Sequence, residues 1–265
     1  RGDKSLSYIK SYTQFFIAVF IHLHKNQAFD VVHVHTMPDF LIFSALRYTS
    51  NQWFKRPIIL DMHDLMPDLY RIKFNLTKQH PIIKTLYMIE KSAMAIADHI
   101  IVVHEFQKNI LMQRNANSKK IITIMNSPDE KIFTYKHQTQ HPLRFVYHGT
   151  LLQRYGLDIA IKAFALTVKQ FSAVQFLILG GGDYFDELKH LVKDLDIENN
   201  VILNGIIEPV DKIPSLLQSN DIGIIAYRDD NEDSALPTKL LEYLQMGIVC
   251  ISAKTRCIHA HFDEE

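Results

Sequence analysis

The sequence predicts an α/β protein built from two parallel-sheet halves, and three observations carry that prediction. Short β-branched runs recur along the 265 residues, helical periods fill the gaps between them, and one polar stretch divides the series near its middle. Strand–helix alternation of this kind specifies βαβ units and therefore parallel sheets.

The first set of strands is read from "DVVHVH" (30–35), "PIILDMH" (57–63), "HIIVVH" (99–104) and "KIITIM" (120–125). A second set follows in "LRFVYHG" (143–149), "QFLILGG" (175–181), "VILNGI" (201–206), "DIGIIAY" (221–227) and "IVCISA" (248–253). These runs do not alternate cleanly between apolar and polar residues, the pattern of strands covered on both faces. Between them, Ile82, Leu86, Ile89, Ala93 and Ile96 recur at helical spacing. So do Leu157, Ile161, Phe164 and Val168, and then Phe185, Leu188, Val192 and Leu195. The apolar run "FFIAVFIHL" (15–23) is expected to be a buried helix. It is far short of the roughly 20 residues that cross a bilayer, and no small-residue cleavage site follows it.

The polar stretch "YKHQTQHP" (135–142) is the natural linker. It gives Rossmann-like domains over residues 1–140 and 141–265, facing one another across a cleft. The first opens on a helix instead of a strand, and the second stops soon after its last strand. Both are therefore expected to be incomplete, the first at its start and the second at its end.

Composition narrows the function. Lys+Arg and Asp+Glu are both 29, so the basic excess of a nucleic-acid binder is absent and no nucleic-acid partner is expected. The two cysteines, Cys250 and Cys257, make neither a disulfide framework nor a zinc spacing, which suits a reducing, cytoplasmic setting.

Three stretches carry candidate chemistry. In "LILGGGDYFDELKHLV" a strand runs into Gly180, Gly181 and Gly182, a turn that lets a ligand approach the backbone or simply lets the chain turn tightly, capped by Asp183. In "YHGTLLQRYGLDIAIKAF" the strand ends at Gly149, and Arg154 follows at the edge where parallel sheets bind ligands. Its guanidinium suits a phosphate, and an ordinary solvated arginine is the alternative. In "ALPTKLLEYLQMG" Pro237 opens a helix, with Leu236 where a capping residue would stand. The N–H groups of Thr238 and Lys239 then form an anion site, with the Lys239 charge beside it. Periodicity puts Leu240, Leu241 and Leu244 on one face and Lys239, Glu242 and Gln245 on another. Glu242 is thus expected either to pair with Lys239 or to accept hydrogen bonds from sugar hydroxyls.

Taken in chain order, the three stretches resemble the retaining glycosyltransferases of the GT-B fold, family 4. "FDVVHVHTMPDFLIFSAL" and "ILDMHDLMPDLY" extend the resemblance to the first half. It implies a hexosyltransferase, active in polysaccharide biosynthesis or a related pathway, that moves a sugar from a nucleotide diphosphate sugar with retention of configuration. The nucleotide sugar is a substrate, and no cofactor is implied. Glu242 matches the second acid of the family's E-x7-E motif, which holds the ribose, and the backbone at Pro237, Thr238 and Lys239 matches the diphosphate turn. The first acid of that motif falls at Ser234. The family's phosphate-binding Arg and Lys fall at Thr150 and Tyr155, with Arg154 and Lys239 as replacements for that charge. His63 matches the active-site histidine; without the resemblance it reads as a strand-end histidine bonded to Asp64.

The donor-side set is therefore Gly149, Thr150, Gly181, Ser234, Leu236, Pro237, Thr238 and Glu242, with His63, Arg154 and Lys239 in catalytic roles. No metal site is expected. His33 and His35 could face one side of a strand, but no third ligand is evident in the sequence, and the acidic run "RDDNED" (228–233) reads as a solvated loop. The acceptor is open among a lipid-linked glycan, a protein and a small molecule. Lys73, Lys78, Lys84 and Lys91 leave room for peripheral contact with the inner face of a membrane without establishing a patch. Two other classes stay in view: a GT-B nucleotide-sugar epimerase, separated by its products, and a non-catalytic paralogue that only binds a partner.

Overall fold

The computed structural model describes residues 2–26, 29–50, 55–135, 142–228 and 235–262. The chain forms two compact units, Arg1–Met125 and Asn126–Glu265. The break falls before the polar stretch proposed as linker, because Ile132 and Phe133 pack into the core of the second unit. Residues 136–141 of that stretch lie outside the described residues.

In the first unit, strands β1 (Val32–His35), β2 (Ile58–Met62), β3 (His99–Val102) and β4 (Ile121–Thr123) pair in parallel in the order β1-β2-β3-β4. The helices are α1 (Gly2–Lys25), α2 (Arg47–Ser50), α3 (Met66–Lys73), α4 (Pro81–Ile96) and α5 (Glu105–Gln113). Right-handed crossovers that always step the same way deliver their connections to one face of the sheet. That face is the core: Val32, Val34, Ile58, Leu60, Met62, Ile100, Val102 and Ile121 are buried.

The alternate residues show the other face. His33, His35, His99 and Ile122 are exposed, and Ile59, Asp61 and Ile101 only half-buried. Among the described residues, coverage on both faces therefore fails for this sheet. The expectation of a buried helix at 15–23 fails too. Helix α1 touches the turn 39–45 through a narrow stripe, with Phe16 6.1 Å from Phe40, while Phe15, Ile17, Phe20 and Ile21 stay exposed. No described helix is long and apolar enough to cross a membrane.

The second unit has strands β5 (Arg144–His148), β6 (Gln175–Leu179), β7 (Val201–Leu203), β8 (Ile222–Ile225) and β9 (Val249–Ser252), parallel in the order β7-β6-β5-β8-β9. Its helices are α6 (Leu157–Gln170), α7 (Phe185–Asp194), α8 (Ile213–Leu217), α9 (Thr238–Gln245) and α10 (Arg256–His261). Stepping out in both directions from β5 puts helices on both faces. Phe145 and Tyr147 join Leu157, Ile161 and Phe164 in one core, and Val146 joins Leu240, Tyr243 and Met246 in the other. The strand order reverses between β5 and β8, the place where open α/β sheets make a crevice.

Candidate functional site

The crevice is held open by a tyrosine. Strands β5 and β8 pair only at Phe145–Ile222 and Val146–Gly223. Tyr243 of α9 lies against Gly223 so closely that a Cβ there would stand 2.4 Å from the ring. The His148 N–H donates to the Tyr243 hydroxyl at 3.1 Å, in place of the adjacent strand. Complete burial raises the Tyr243 pKa well above its ordinary value, so the hydroxyl keeps its proton.

This anchor sets the position of Glu242. One carboxylate oxygen, Oε2, lies 3.0 Å from His148 Nε2, within ion-pair distance but without hydrogen-bond geometry to any described partner. The Glu242 carboxylate thus stands beside His148 and not beside Lys239. The Glu242 side chain, 19% exposed, lines a cavity of about 270 Å³ with Thr238, Leu241, Asn126, Ser127 and Pro128. No side chain caps α9. Pro237 is its N-cap and not its first helical residue, with Thr238 following, so the uncapped end and Glu242 share one cavity.

Lys239 departs from its predicted place on the polar face. It is buried, because the inward side of α9 is Lys239, Leu240, Tyr243 and Met246, while Leu244 is exposed. Its Nζ donates to the Tyr147 hydroxyl at 3.0 Å and lies 4.2, 5.2 and 5.8 Å from the ring centres of Tyr147, Tyr155 and Tyr227. Electron-rich ring faces accept an ammonium where a bare apolar core would not. The same ammonium sits under the first loop: a Cβ on Gly149 would stand 2.9 Å from Nζ.

Arg154 is half-buried and donates to the Tyr155 hydroxyl at 2.9 Å. Thr150 is exposed, and its carbonyl accepts from the Tyr147 hydroxyl at 2.9 Å. The glycine turn packs backbone against backbone: Leu151 N–H donates to the Gly181 carbonyl at 3.0 Å, and a Cβ on Gly180 would stand 1.9 Å from the Gly149 carbonyl. The glycines are thus needed for two loops to run side by side. Asp183 caps nothing, since Tyr184 is the N-cap of α7. Leu236 packs half-buried on the core, and Ser234 and residues 229–233 lie outside the described residues.

His63 belongs to the first unit. It does not bond to Asp64; its Nε2 lies 3.1 Å from His35 Nδ1 and 3.7 Å from Asp61 Oδ2. Sequence reading did not single out Tyr147, His148, Tyr243 or Asp61. A usable signal existed for Tyr147 and His148, which end a parallel strand beside a glycine. The larger hollow of the second unit, about 640 Å³, is lined chiefly by apolar residues such as Ile159, Phe164 and Ile251, and touches neither Glu242 nor Lys239.

Fold and site together define an α/β protein of two parallel-sheet units, the second with an uncapped helix end and an acidic residue at its switch point. The chain belongs to the glycosyl transferases group 1 family, which residues 128–262 match, while residues 6–131 match glycosyltransferase family 4. It is similar to the amylovoran biosynthesis glycosyltransferase AmsK of Erwinia amylovora, 28% identical over 136 residues that cover 50% of this chain and 33% of that one. It also resembles the chitobiosyldiphosphodolichol beta-mannosyltransferase of Debaryomyces hansenii, 22% identical over 251 residues, 85% of this chain and 53% of that one. The chain therefore spans about half or less of the length of these curated relatives.

Among solved structures, Anabaena Alr3699/HepE in complex with UDP matches with a TM-score of 0.70 and 17% identity, over 95% of this chain and 66% of that one. Sucrose-phosphate synthase from Thermosynechococcus elongatus matches with a TM-score of 0.70 and 16% identity, over 94% and 61%. At such identities the likeness is one of fold, the GT-B fold of two Rossmann-like units.

Proposed function

We propose that the second unit binds a nucleotide diphosphate sugar and that the protein transfers its sugar, with retention of configuration, to an acceptor hydroxyl. One observation carries this reading: the uncapped end of α9 and the Glu242 carboxylate open on the same cavity. The N–H groups and positive dipole end at a helix start attract a diphosphate. A carboxylate one turn away accepts hydrogen bonds from the vicinal hydroxyls of a ribose. Lys239, held by three tyrosines beneath Gly149, and Arg154 supply positive charge for the leaving diphosphate. In a front-face displacement the acceptor oxygen bonds to the sugar carbon as the bond to the diphosphate breaks on the same face, and the acceptor's proton passes to the departing phosphate oxygen. His63, in the first unit, is read as a catalytic residue. The UDP complex of the Anabaena neighbour makes UDP the first nucleotide to try. A lipid-linked glycan is the acceptor class to assay first, and the inner membrane face is the corresponding place to look for the protein.

The test is isothermal titration of the chain with UDP, GDP and ADP, repeated on Glu242→Ala. Saturable binding of one diphosphate, weakened by about tenfold or more in the variant, is expected. Binding that is indifferent to Glu242→Ala would remove the ribose role. A folded chain that binds none of the three has no donor site of this kind.

A further inference from the structure

Strand alternation places His33 and His35 on the uncovered face of the first sheet, and the parallel register sets His35 opposite Asp61. Their donor atoms converge. His33 Nε2 lies 3.1 Å and His35 Nδ1 3.2 Å from the same oxygen, Asp61 Oδ2, and one such atom from each residue falls within 4.8 Å of the others. The two imidazole rings stack with their centres 4.4 Å apart, so a small rotation of one ring brings both nitrogens onto a shared ion.

Two contacts hold the cluster without an ion: His33 Nε2 lies 3.1 Å from Asp61 Oδ2, and His35 Nδ1 lies 3.1 Å from His63 Nε2. A cation among the three donors would take a lone pair from each imidazole and one carboxylate oxygen.

We propose that His33, His35 and Asp61 form a binding site for a divalent transition-metal ion, with zinc the best fit. In a tetrahedral zinc site with bonds of about 2.0–2.1 Å, neighbouring donors stand about 3.3–3.4 Å apart, close to the 3.1 and 3.2 Å found here. Two imidazoles and one carboxylate are a borderline-soft donor set, which disfavours magnesium and calcium. The side chains of His33 and His35 are 40% and 60% exposed, so an ion reaches them from solvent, while Asp61 at 13% is held in the sheet. Three protein ligands leave a fourth position, and His63 Nε2, 3.7 Å from Asp61 Oδ2, stands beside it. Metal on His35 Nδ1 would occupy the nitrogen that lies 3.1 Å from His63 Nε2. The site lies wholly within the first unit and does not rest on the nucleotide reading.

The experiment titrates zinc chloride into the whole chain in a non-chelating buffer by calorimetry. Cobalt is added in parallel to read tetrahedral coordination from its visible absorption. Expected are one ion per chain at micromolar affinity or tighter, intense cobalt bands, and at least a tenfold loss of affinity in His33→Ala, His35→Ala and Asp61→Asn. The histidines are exposed, so their replacement leaves the core intact, which circular dichroism verifies. No saturable zinc uptake by the folded chain overturns the proposal. So does stoichiometric zinc that binds the two histidine variants as tightly as the parent.

Discussion

Replacing Tyr243 with phenylalanine tests how the switch point is built. The ring stays against Gly223, so no cavity opens, and only the hydroxyl that accepts from the His148 N–H at 3.1 Å is lost. His148 is buried, and no neighbouring strand is in place to take the donor. Leaving such a donor unsatisfied costs about 1–3 kcal/mol. With about 2.1 cal/mol/K of unfolding entropy per residue, a unit covering Asn126–Glu265 loses roughly 3–10 °C of Tm for that change. Urea and thermal melts followed by far-ultraviolet circular dichroism measure both quantities. A Tyr243→Phe chain within about 0.5 kcal/mol of the parent would mean that water serves His148 and that the hydroxyl does not hold the crevice.

Two further predictions concern the first unit. Asp39 is fully buried with neither carboxylate oxygen hydrogen-bonded to a described partner, and burial raises its pKa from 3.8 to about 6. Between those values the folded chain binds more protons than the unfolded one. Stability therefore falls as pH rises from about 4 to about 6, by up to roughly 3 kcal/mol. The difference between parent and Asp39→Asn in urea melts across this range should show that slope, and parallel curves would refute it. Arg114 donates to both oxygens of Glu90, at 3.0 and 2.9 Å, and also pairs with Asp68. Glu90 is 1% exposed, so Arg114→Ala leaves a buried carboxylate without its cation and should cost about 3 kcal/mol or more. Arg114→Met combined with Glu90→Gln should recover most of that, which a double-mutant cycle reads.

All nine strands among the described residues were legible because β-branched runs bounded by turn residues leave little else for the chain to be. What periodicity could not supply was which face of a strand another element reaches. The first sheet alternates buried and exposed residues although its sequence reads as doubly covered, because coverage depends on crossover direction. Lys239 shows the same limit at the site. Its charge argued for the polar face of α9, yet three tyrosines from distant parts of the chain make its buried position tolerable. The partner of the His33–His35 pair was invisible for a simpler reason: Asp61 arrives through strand register, which a local motif does not encode. The uncapped helix end was readable in advance, since a cap is a local property and its lack at residues 236–237 is written in the chain.

The bond from His148 to Tyr243 joins positions far apart in the chain and belongs to no ladder. An amide protected by a helix side chain exchanges its hydrogen whenever that helix lifts, even while the strand beneath stays paired. The His148 amide should therefore exchange with α9 and ahead of Val146, its neighbour in the middle of β5. A nucleotide that settles on the end of α9 would slow that single amide. Its exchange rate can then be followed as a local gauge of how firmly the helix is seated.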